Sequence, residues 1–268
     1  MPELPEILTR ARGMSAELPG KLITSIDVIQ PKCLNVPLED FKTNLQGARL
    51  GQTTCHGKWL FTETSQGWLL LNLGMGGEII LATRSSLPEK FRLVFDFNDD
   101  SCLVVNFWWF GYAHYVKPDG LASHTMTAKL GPNAVDISPA ELLKMTRGQK
   151  AGVKAFLLDQ KHIAGIGNAY IHDILFMAQL HPLRSLETIS DPEIDRLAHA
   201  IHDGLQSSID KGGAFYEVGL HGEKGGFTME DVLIGYKEGQ ACPMCKTTIL
   251  KIKTGGTSSY ICPNCQPI

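Results

Sequence analysis

Two cysteine pairs near the C-terminus restrict the possible fold more than any other feature of this chain. Cys242 and Cys245 form one C-x-x-C pair, Cys262 and Cys265 form the second, and sixteen residues separate the pairs. This spacing is typical of a structural zinc ribbon, in which four thiolates complete a tetrahedral shell and leave no open position for catalysis. Residues 249–253 and 258–261 fit the two strands of a hairpin. We therefore predict one structural zinc ion, with a disulfide or redox role as the alternative.

The other cysteines and the charge balance indicate the class of protein. Cys33, Cys55 and Cys102 lie singly among apolar segments of the 268-residue chain. In a chain that also carries a metal site, such unpaired thiols favour a reducing, cytoplasmic compartment over a disulfide framework. The formal net charge of −3 argues against a uniformly basic surface, so contact with nucleic acid depends on a local patch. We expect neither a signal peptide nor a membrane span, because no run of 18 uncharged apolar residues occurs.

The first half of the chain is predicted to form β-strands. Short apolar, β-branched and aromatic runs recur across residues 21–120, notably at 23–29, 68–73, 78–81 and 102–105. In the segment 91–97 we expect the alternating residues Phe91, Leu93, Phe95 and Phe97 to share one face, with a turn at 98–101. A two-layer β-sandwich is the expected result.

The second half changes to a helical period at about residue 130. Ser138, followed by proline and by Glu141 three residues later, predicts a helix start with a capping box. An apolar stripe predicts a second helix that ends at a Gly-Gly pair, and its members are Ile194, Leu197, Ile201, Leu205 and Ile209. The predicted fold class is therefore α+β and multidomain, with domains at residues 1–125, 126–230 and 231–268.

The amino terminus combines prolines and glutamates in an unusual way. Pro5 and Glu6 fit an ordinary helix start, and capping alone explains them. If Met1 is removed, however, Pro2 exposes a secondary amine, and a neutral amine can attack C1′ of a sugar to form a Schiff base. Glu3 would then protonate the opening sugar ring, Glu6 would move protons or hold the amine, and Lys58 would place a cation on a phosphate or departing group.

A glycine-rich turn in the helical half is a candidate phosphate site. Residues 165–168 read G-x-G-N, Lys154 lies upstream, and a helix is expected from 169 to 180. Such a turn exposes backbone N–H groups at a helix start, where Asn168 adds a side-chain donor. Taken alone, the motif favours an ordinary turn.

Three motifs together resemble the formamidopyrimidine-DNA glycosylase family: PELPE at residues 2–6, HGKWLF at 56–61, and CPMC with CPNCQ at 242–245 and 262–266. The resemblance spans nearly the whole chain. It implies an N-terminal β-sandwich, a helix-two-turn-helix domain and a zinc finger, acting on double-stranded DNA with oxidised purines or abasic sites, as a monomer. By resemblance Pro2 is the nucleophile, Glu3 the essential acid and Lys58 an assisting residue, while Lys154 and Asn168 hold the DNA backbone.

The chain departs from the family pattern at the lesion. In the family a methionine, an arginine and a phenylalanine fill the space left by the extruded nucleotide, and Met75 and Phe110 match two of them. Trp108 and Trp109 stand where two arginines are expected, and Thr257 replaces an arginine of the zinc hairpin. Opposite-base discrimination is therefore expected to differ. Exposed tryptophans could stack on bases instead, although two adjacent tryptophans on a strand usually place at least one in the core.

Three functional hypotheses follow. The first is a bifunctional glycosylase and abasic-site lyase that uses the N-terminal proline. The second is a non-catalytic binder of damaged, abasic or branched DNA, which the missing arginines favour and the retained Pro2, Glu3, Glu6 and Lys58 oppose. The third is an unrelated zinc-ribbon scaffold protein.

Overall fold

The computed structural model describes residues 1–108 and 110–268, which divide into two units. The first unit consists of Met1–Lys129 together with Lys211–Gly226, and the second consists of Leu130–Asp210 and Phe227–Ile268. The segment Lys211–Gly226 thus packs with the N-terminal part of the chain. The division into three domains stays a prediction.

The described residues of the first unit form a β-sandwich with two α-helices. Its helices are α1 (Leu4–Glu17) and α2 (Leu38–Leu45), and its strands are β1 (Ile23–Val28), β2 (Leu50–His56), β3 (Trp59–Thr64), β4 (Gly67–Asn72), β5 (Glu78–Thr83), β6 (Leu93–Phe97), β7 (Ser101–Asn106) and β8 (Tyr112–Val116). The strands form two antiparallel sheets, ordered β1-β6-β7-β5 and β2-β3-β4-β8. Alternate residues of both sheets, such as Phe95 and Leu71, meet in one core with α1 and α2. The predicted sandwich is confirmed.

The hairpin of β6 and β7 forms at the predicted position, with one correction. Phe95 pairs with Leu103, and Asp100 in the turn adopts a left-handed φ of 64°. Phe91, however, packs against Val94 on the face opposite Phe95, so the predicted shared face is wrong for this residue. The reason is that β6 begins only at Leu93, and a bend before it breaks the alternation.

The second unit is helical and ends in a hairpin. Its elements are α3 (Pro139–Thr146), α4 (Val153–Leu158), α5 (Ile171–Met177), α6 (Asp191–Asp210), β9 (Leu250–Thr254) and β10 (Thr257–Ile261). The capping box of α3 is confirmed, since Ser138 Oγ accepts the N–H of Glu141 and the Glu141 carboxylate accepts the N–H of Ser138. The apolar stripe of α6 is buried as predicted. α5 is shorter than predicted at both ends: it begins at Ile171, and it ends before Gln179, which turns left-handed at φ 57°.

In the two described stretches of the chain, every helix is too short or too polar to cross a lipid bilayer.

Candidate active site and nucleic-acid interface

The N-terminal carboxylates are buried at the start of α1. Glu3 and Glu6 are each only 4% exposed, and Pro2 is buried beside them. The Glu3 backbone N–H donates to Glu6 Oε2 at 2.8 Å, so Glu6 holds the backbone next to Pro2. The capping interpretation is therefore confirmed, and the same bond gathers two carboxylates around the N-terminal segment.

The segment Lys211–Gly226 of the same unit contributes a further hydrogen bond to these carboxylates. The Ala214 N–H donates to the other oxygen of Glu6, Oε1, at 3.1 Å. Gly213 permits this approach: its φ is +94°, and a Cβ there would lie 3.1 Å from Glu6 Cγ. Glu6 thus bridges the Glu3 amide and the 211–226 segment.

An ion pair that sequence reasoning missed lies one turn further along α1. Arg10 Nη2 donates to Glu217 Oε2 at 2.8 Å, and the two side chains are 2% and 13% exposed. Burial raises the pKa of the Glu217 carboxyl, and the positive charge of Arg10 opposes that rise. The available signal was a cation on the apolar face of α1, between the buried Ile7 and Met14.

Lys58 lies in the tight turn between β2 and β3. Gly57 before it adopts a φ of 56°, and the Lys58 carbonyl accepts from Asn72 Nδ2 at 3.0 Å. The strand β2 that leads into this turn is fixed to α1, because Ser15 and Thr53 exchange two hydrogen bonds of 2.6 and 2.8 Å. Lys58 is half-buried, and its turn is therefore rigidly placed.

Three of the candidate DNA-binding side chains are exposed apolar groups of the first unit. Met75 is 47% exposed, Trp108 is 65% exposed and Phe110 is 70% exposed. The backbone N–H of Trp108 donates to the Met75 carbonyl at 3.0 Å. The Trp108 indole lies over Gly76, where a Cβ would be 3.0 Å from the ring. The structure thus brings Met75 and Trp108 together. Trp109 lies outside the described residues.

Lys154 is engaged with the zinc hairpin. The Lys154 side chain is on α4 and the residue is 3% exposed. Its Nζ donates to Thr254 Oγ1, Thr257 Oγ1, the Ser258 carbonyl and Ser259 Oγ, at distances of 2.8–3.1 Å. Burial lowers the pKa of Lys154 to about 8. Lys154 and Thr257 are thus brought together, with the ammonium turned to the hairpin turn.

Asn168 has a polar atom without a partner. Its Oδ1 is buried and accepts no hydrogen bond from the residues that the structure describes, while its carbonyl accepts from Tyr236 Oη at 3.2 Å. Gly165 in the same turn adopts a φ of +108°, and its N–H donates to Gln160 Oε1 at 2.9 Å. The G-x-G-N turn is therefore well ordered by Gln160.

The four cysteines meet at one point of the second unit. The Sγ atoms of Cys242, Cys245, Cys262 and Cys265 all lie within 4.8 Å of one another. Four sulfurs at about 2.3 Å from a tetrahedral zinc ion are roughly 3.8 Å apart, so this set fits one zinc ion. Gln266 connects the site to the helices, because its Oε1 accepts the Cys262 N–H at 3.0 Å and its Nε2 donates to the Leu180 carbonyl at 2.9 Å. The four-cysteine zinc finger is confirmed, and zinc would stabilise this small module.

Family models match three successive parts of the chain. The formamidopyrimidine-DNA glycosylase N-terminal domain matches residues 1–107, the H2TH domain of the same glycosylases matches residues 130–218, and the zinc finger found in FPG and IleRS matches residues 239–268. Together they define the class: a β-sandwich domain, a helical H2TH domain and a zinc finger in one chain.

Relatives of known name extend over the full length. Formamidopyrimidine-DNA glycosylase of Pelotomaculum thermopropionicum is 34% identical and covers 100% of both chains, and that of Edwardsiella ictaluri is 31% identical over 99% of this chain and 100% of its own. The structure of Lactococcus lactis Fpg with DNA containing an abasic site matches with a TM-score of 0.92 and 28% identity, over 99% of this chain and 100% of that one. The chain belongs to the formamidopyrimidine-DNA glycosylase family.

Proposed function

We propose that this protein is a DNA glycosylase of base-excision repair that removes oxidised, formamidopyrimidine-type purines and then cleaves the abasic strand. The observation that carries the proposal is the pair of buried carboxylates, Glu3 and Glu6, that hydrogen bonds hold at the N-terminus. The substrate is double-stranded DNA with a damaged base or abasic site, and this fits the Lactococcus lactis Fpg complexes with abasic-site DNA and with N7-benzyl-Fapy-dG DNA.

The cellular setting is part of the proposal. Cys33, Cys55 and Cys102 are free thiols, and this supports a reducing, cytoplasmic compartment. We infer a protein that acts as a monomer, with domains at 1–125, 126–230 and 231–268 and the 211–226 segment packed in the first unit.

The proposed chemistry begins with the amine of Pro2, which removal of Met1 frees. The amine attacks C1′ of the damaged nucleoside, the bond from C1′ to the base breaks, and the base leaves with a proton. Glu3 protonates the ring oxygen as the sugar opens, which leaves a Schiff base between the Pro2 nitrogen and C1′. Loss of a C2′ proton then expels the 3′ phosphate, and water hydrolyses the Schiff base to release the amine. Glu6 holds the backbone that carries Pro2, and Lys58 offers its cation to a phosphate.

The DNA contacts follow from exposure and charge. Exposed Met75, Trp108 and Phe110 supply apolar surface for the space that an extruded nucleotide leaves, and Trp109 is included by sequence alone. In the second unit we assign Lys154, Asn168 and Thr257 to the phosphate backbone. Because the Lys154 ammonium is buried against the hairpin, we infer that Lys154 acts through the hairpin turn that it holds.

Covalent trapping tests this proposal. We would incubate N-terminally sequenced protein with duplex DNA that contains one abasic site, add borohydride, and locate the adduct by mass spectrometry. We expect an adduct on Pro2, and we expect Pro2→Gly and Glu3→Gln to abolish turnover while DNA binding persists. Arg12→Met is the matched control, since Arg12 is exposed on the same helix.

The alternative function gives a different result. If Met1 is absent, DNA is bound and no adduct forms, the protein is a non-catalytic binder of damaged DNA. If Pro2→Gly and Glu3→Gln cleave the DNA as well as the wild type, the assigned chemistry is wrong.

A further inference from the structure

The helix α1 presents two charged side chains to the same loop. Glu6 and Arg10 are four residues apart and therefore lie on one face of the helix, one turn from each other. Glu6 accepts the N–H of Ala214, and Arg10 donates to the carboxylate of Glu217. The stretch 214–217 is thus fixed at both ends by consecutive turns of the helix that follows Pro2.

The ion pair is buried in a setting where an unpaired charge is costly. Arg10 is 2% exposed, and its Nε and Nη1 are buried without a hydrogen-bond partner among residues 1–108 and 110–268. Among the described residues, the carboxylate of Glu217 therefore balances the positive charge of this guanidinium. Removing either partner would leave the other charge buried and unpaired, which is costly. The intact ion pair therefore strongly favours the one position of the 211–226 segment in which Glu217 reaches Arg10.

The rest of the loop is already held by other contacts. Leu220 is 4% exposed within the sandwich core, and its carbonyl accepts the N–H of Leu81 at 2.8 Å. The Gly225 N–H donates to the Glu217 carbonyl at 3.3 Å. Loss of the ion pair should therefore release the part of the loop next to Glu6 without detaching the whole segment.

We propose that Arg10 and Glu217 are positioning residues for the reaction, which hold residues 213–217 against Glu6 and thereby fix the Glu3 backbone and the N-terminal amine. This inference rests on the proposed function. Neither side chain needs to touch the reacting atoms. Their effect passes through the Ala214 N–H to Glu6, and from Glu6 to the Glu3 N–H.

Single-turnover trapping on abasic DNA tests the kinetic part. We expect Glu217→Gln and Arg10→Met to slow trapping by about 100-fold, the size of effect that a misplacement of about 1 Å produces. The Kd for the same DNA should change much less, because the ion pair fixes the position of the N-terminal amine and does not itself contact the DNA. Arg10→Lys, which keeps the charge, should recover part of the rate, whereas Arg12→Met should trap like the wild type.

The split between trapping rate and Kd separates this role from simple stabilisation. A variant that only lost stability would lower the amount of folded, DNA-binding protein and leave the trapping rate of that folded fraction unchanged.

Limited proteolysis tests the structural part without any activity. Lys224 is exposed on the loop, and we expect trypsin to cut after it faster in Glu217→Gln and Arg10→Met than in Arg12→Met. Glu217→Gln is nearly isosteric, so it remains informative if Arg10→Met does not fold. If the wild type forms no adduct but proteolysis behaves as expected, the proposed function fails and the loop contact stands. If wild type and both variants trap at one rate, the positioning role is overturned.

Discussion

Replacement of Trp108 should change how the protein responds to the base opposite the lesion. Trp108 is 65% exposed, and an indole offers one N–H donor, whereas a guanidinium offers five in a fixed fork. A bidentate pair gives about 1–3 kcal/mol of discrimination between bases, which corresponds to roughly 5- to 150-fold. The wild type lacks this fork at position 108, so we expect its excision rates opposite C, A, G and T to agree within about 3-fold.

Two substitutions separate stacking from hydrogen bonding. Trp108→Arg should favour orphaned cytosine and guanine, whose edges carry neighbouring acceptors, over adenine by about 5- to 150-fold. Trp108→Ala should instead weaken binding to all four duplexes alike, because stacking contributes about 1–3 kcal/mol per base whatever its identity. Met126→Ala, at an exposed apolar residue of the same unit, is the control.

Single-turnover excision from four otherwise identical duplexes measures both effects, with Kd determined in parallel. A wild type that prefers cytosine to adenine by more than about tenfold would refute the reasoning, because a preference of that size needs a directional donor set at the orphaned base.

The remaining predictions concern the zinc site, a buried histidine pair and the hairpin. We expect one zinc ion per chain by elemental analysis. Removal of the zinc by a chelator should unfold the hairpin, since structural zinc contributes about 10–16 kcal/mol to the folding free energy of small zinc fingers. A hairpin that is equally stable without metal would contradict this. Burial lowers the pKa of His114, whose Nδ1 lies 2.8 Å from His124 Nε2, from 6.5 to about 4. The unfolded state therefore binds more protons between these values, and the free energy of unfolding should fall by about 2 kcal/mol from pH 7 to pH 5 in urea titrations. His114→Phe should remove that loss and His202→Asn should not; an unchanged slope in His114→Phe would exclude the assignment. Lys154→Met should speed amide exchange in residues 254–259 by about tenfold or more, because three hydroxyls and a carbonyl lose a charged donor. Lys150→Met is the control and should leave the exchange rates unchanged. Equal exchange rates in both variants would contradict the contact between Lys154 and the hairpin.

Local patterns predicted the elements that depend on neighbouring residues. The capping box at Ser138 and the turn before β7 follow from residues three to four positions apart, and the zinc site follows from two short spacings. Phe91 was placed on the wrong face because the start of β6 is set by partners far along the chain: the Arg92 N–H bonds to Val105 and its carbonyl accepts from Ile29.

The candidate site shows the same limit. Glu3 and Glu6 were found from the sequence because they adjoin Pro2. Arg10 and Glu217 are 207 residues apart, and no local pattern connects them. The one local indication is Arg10 itself: a cation on the apolar face of α1 needs a buried carboxylate partner, and that partner must come from another part of the chain.

In the proposed function, the chemistry and the choice of opposite base depend on different residues of the first unit. Glu3 and Glu6 are held by α1 and by the 211–226 segment, whereas Trp108 bonds to Met75 in the loop between β4 and β5. The hydrogen bonds of Glu6 to the Glu3 and Ala214 N–H groups and the bond from the Trp108 backbone N–H to the Met75 carbonyl therefore involve different residues. The hydrogen bonds of Glu6 to the Glu3 and Ala214 N–H groups are present although tryptophan stands at position 108, and this is why we expect Schiff-base chemistry to persist while base discrimination weakens.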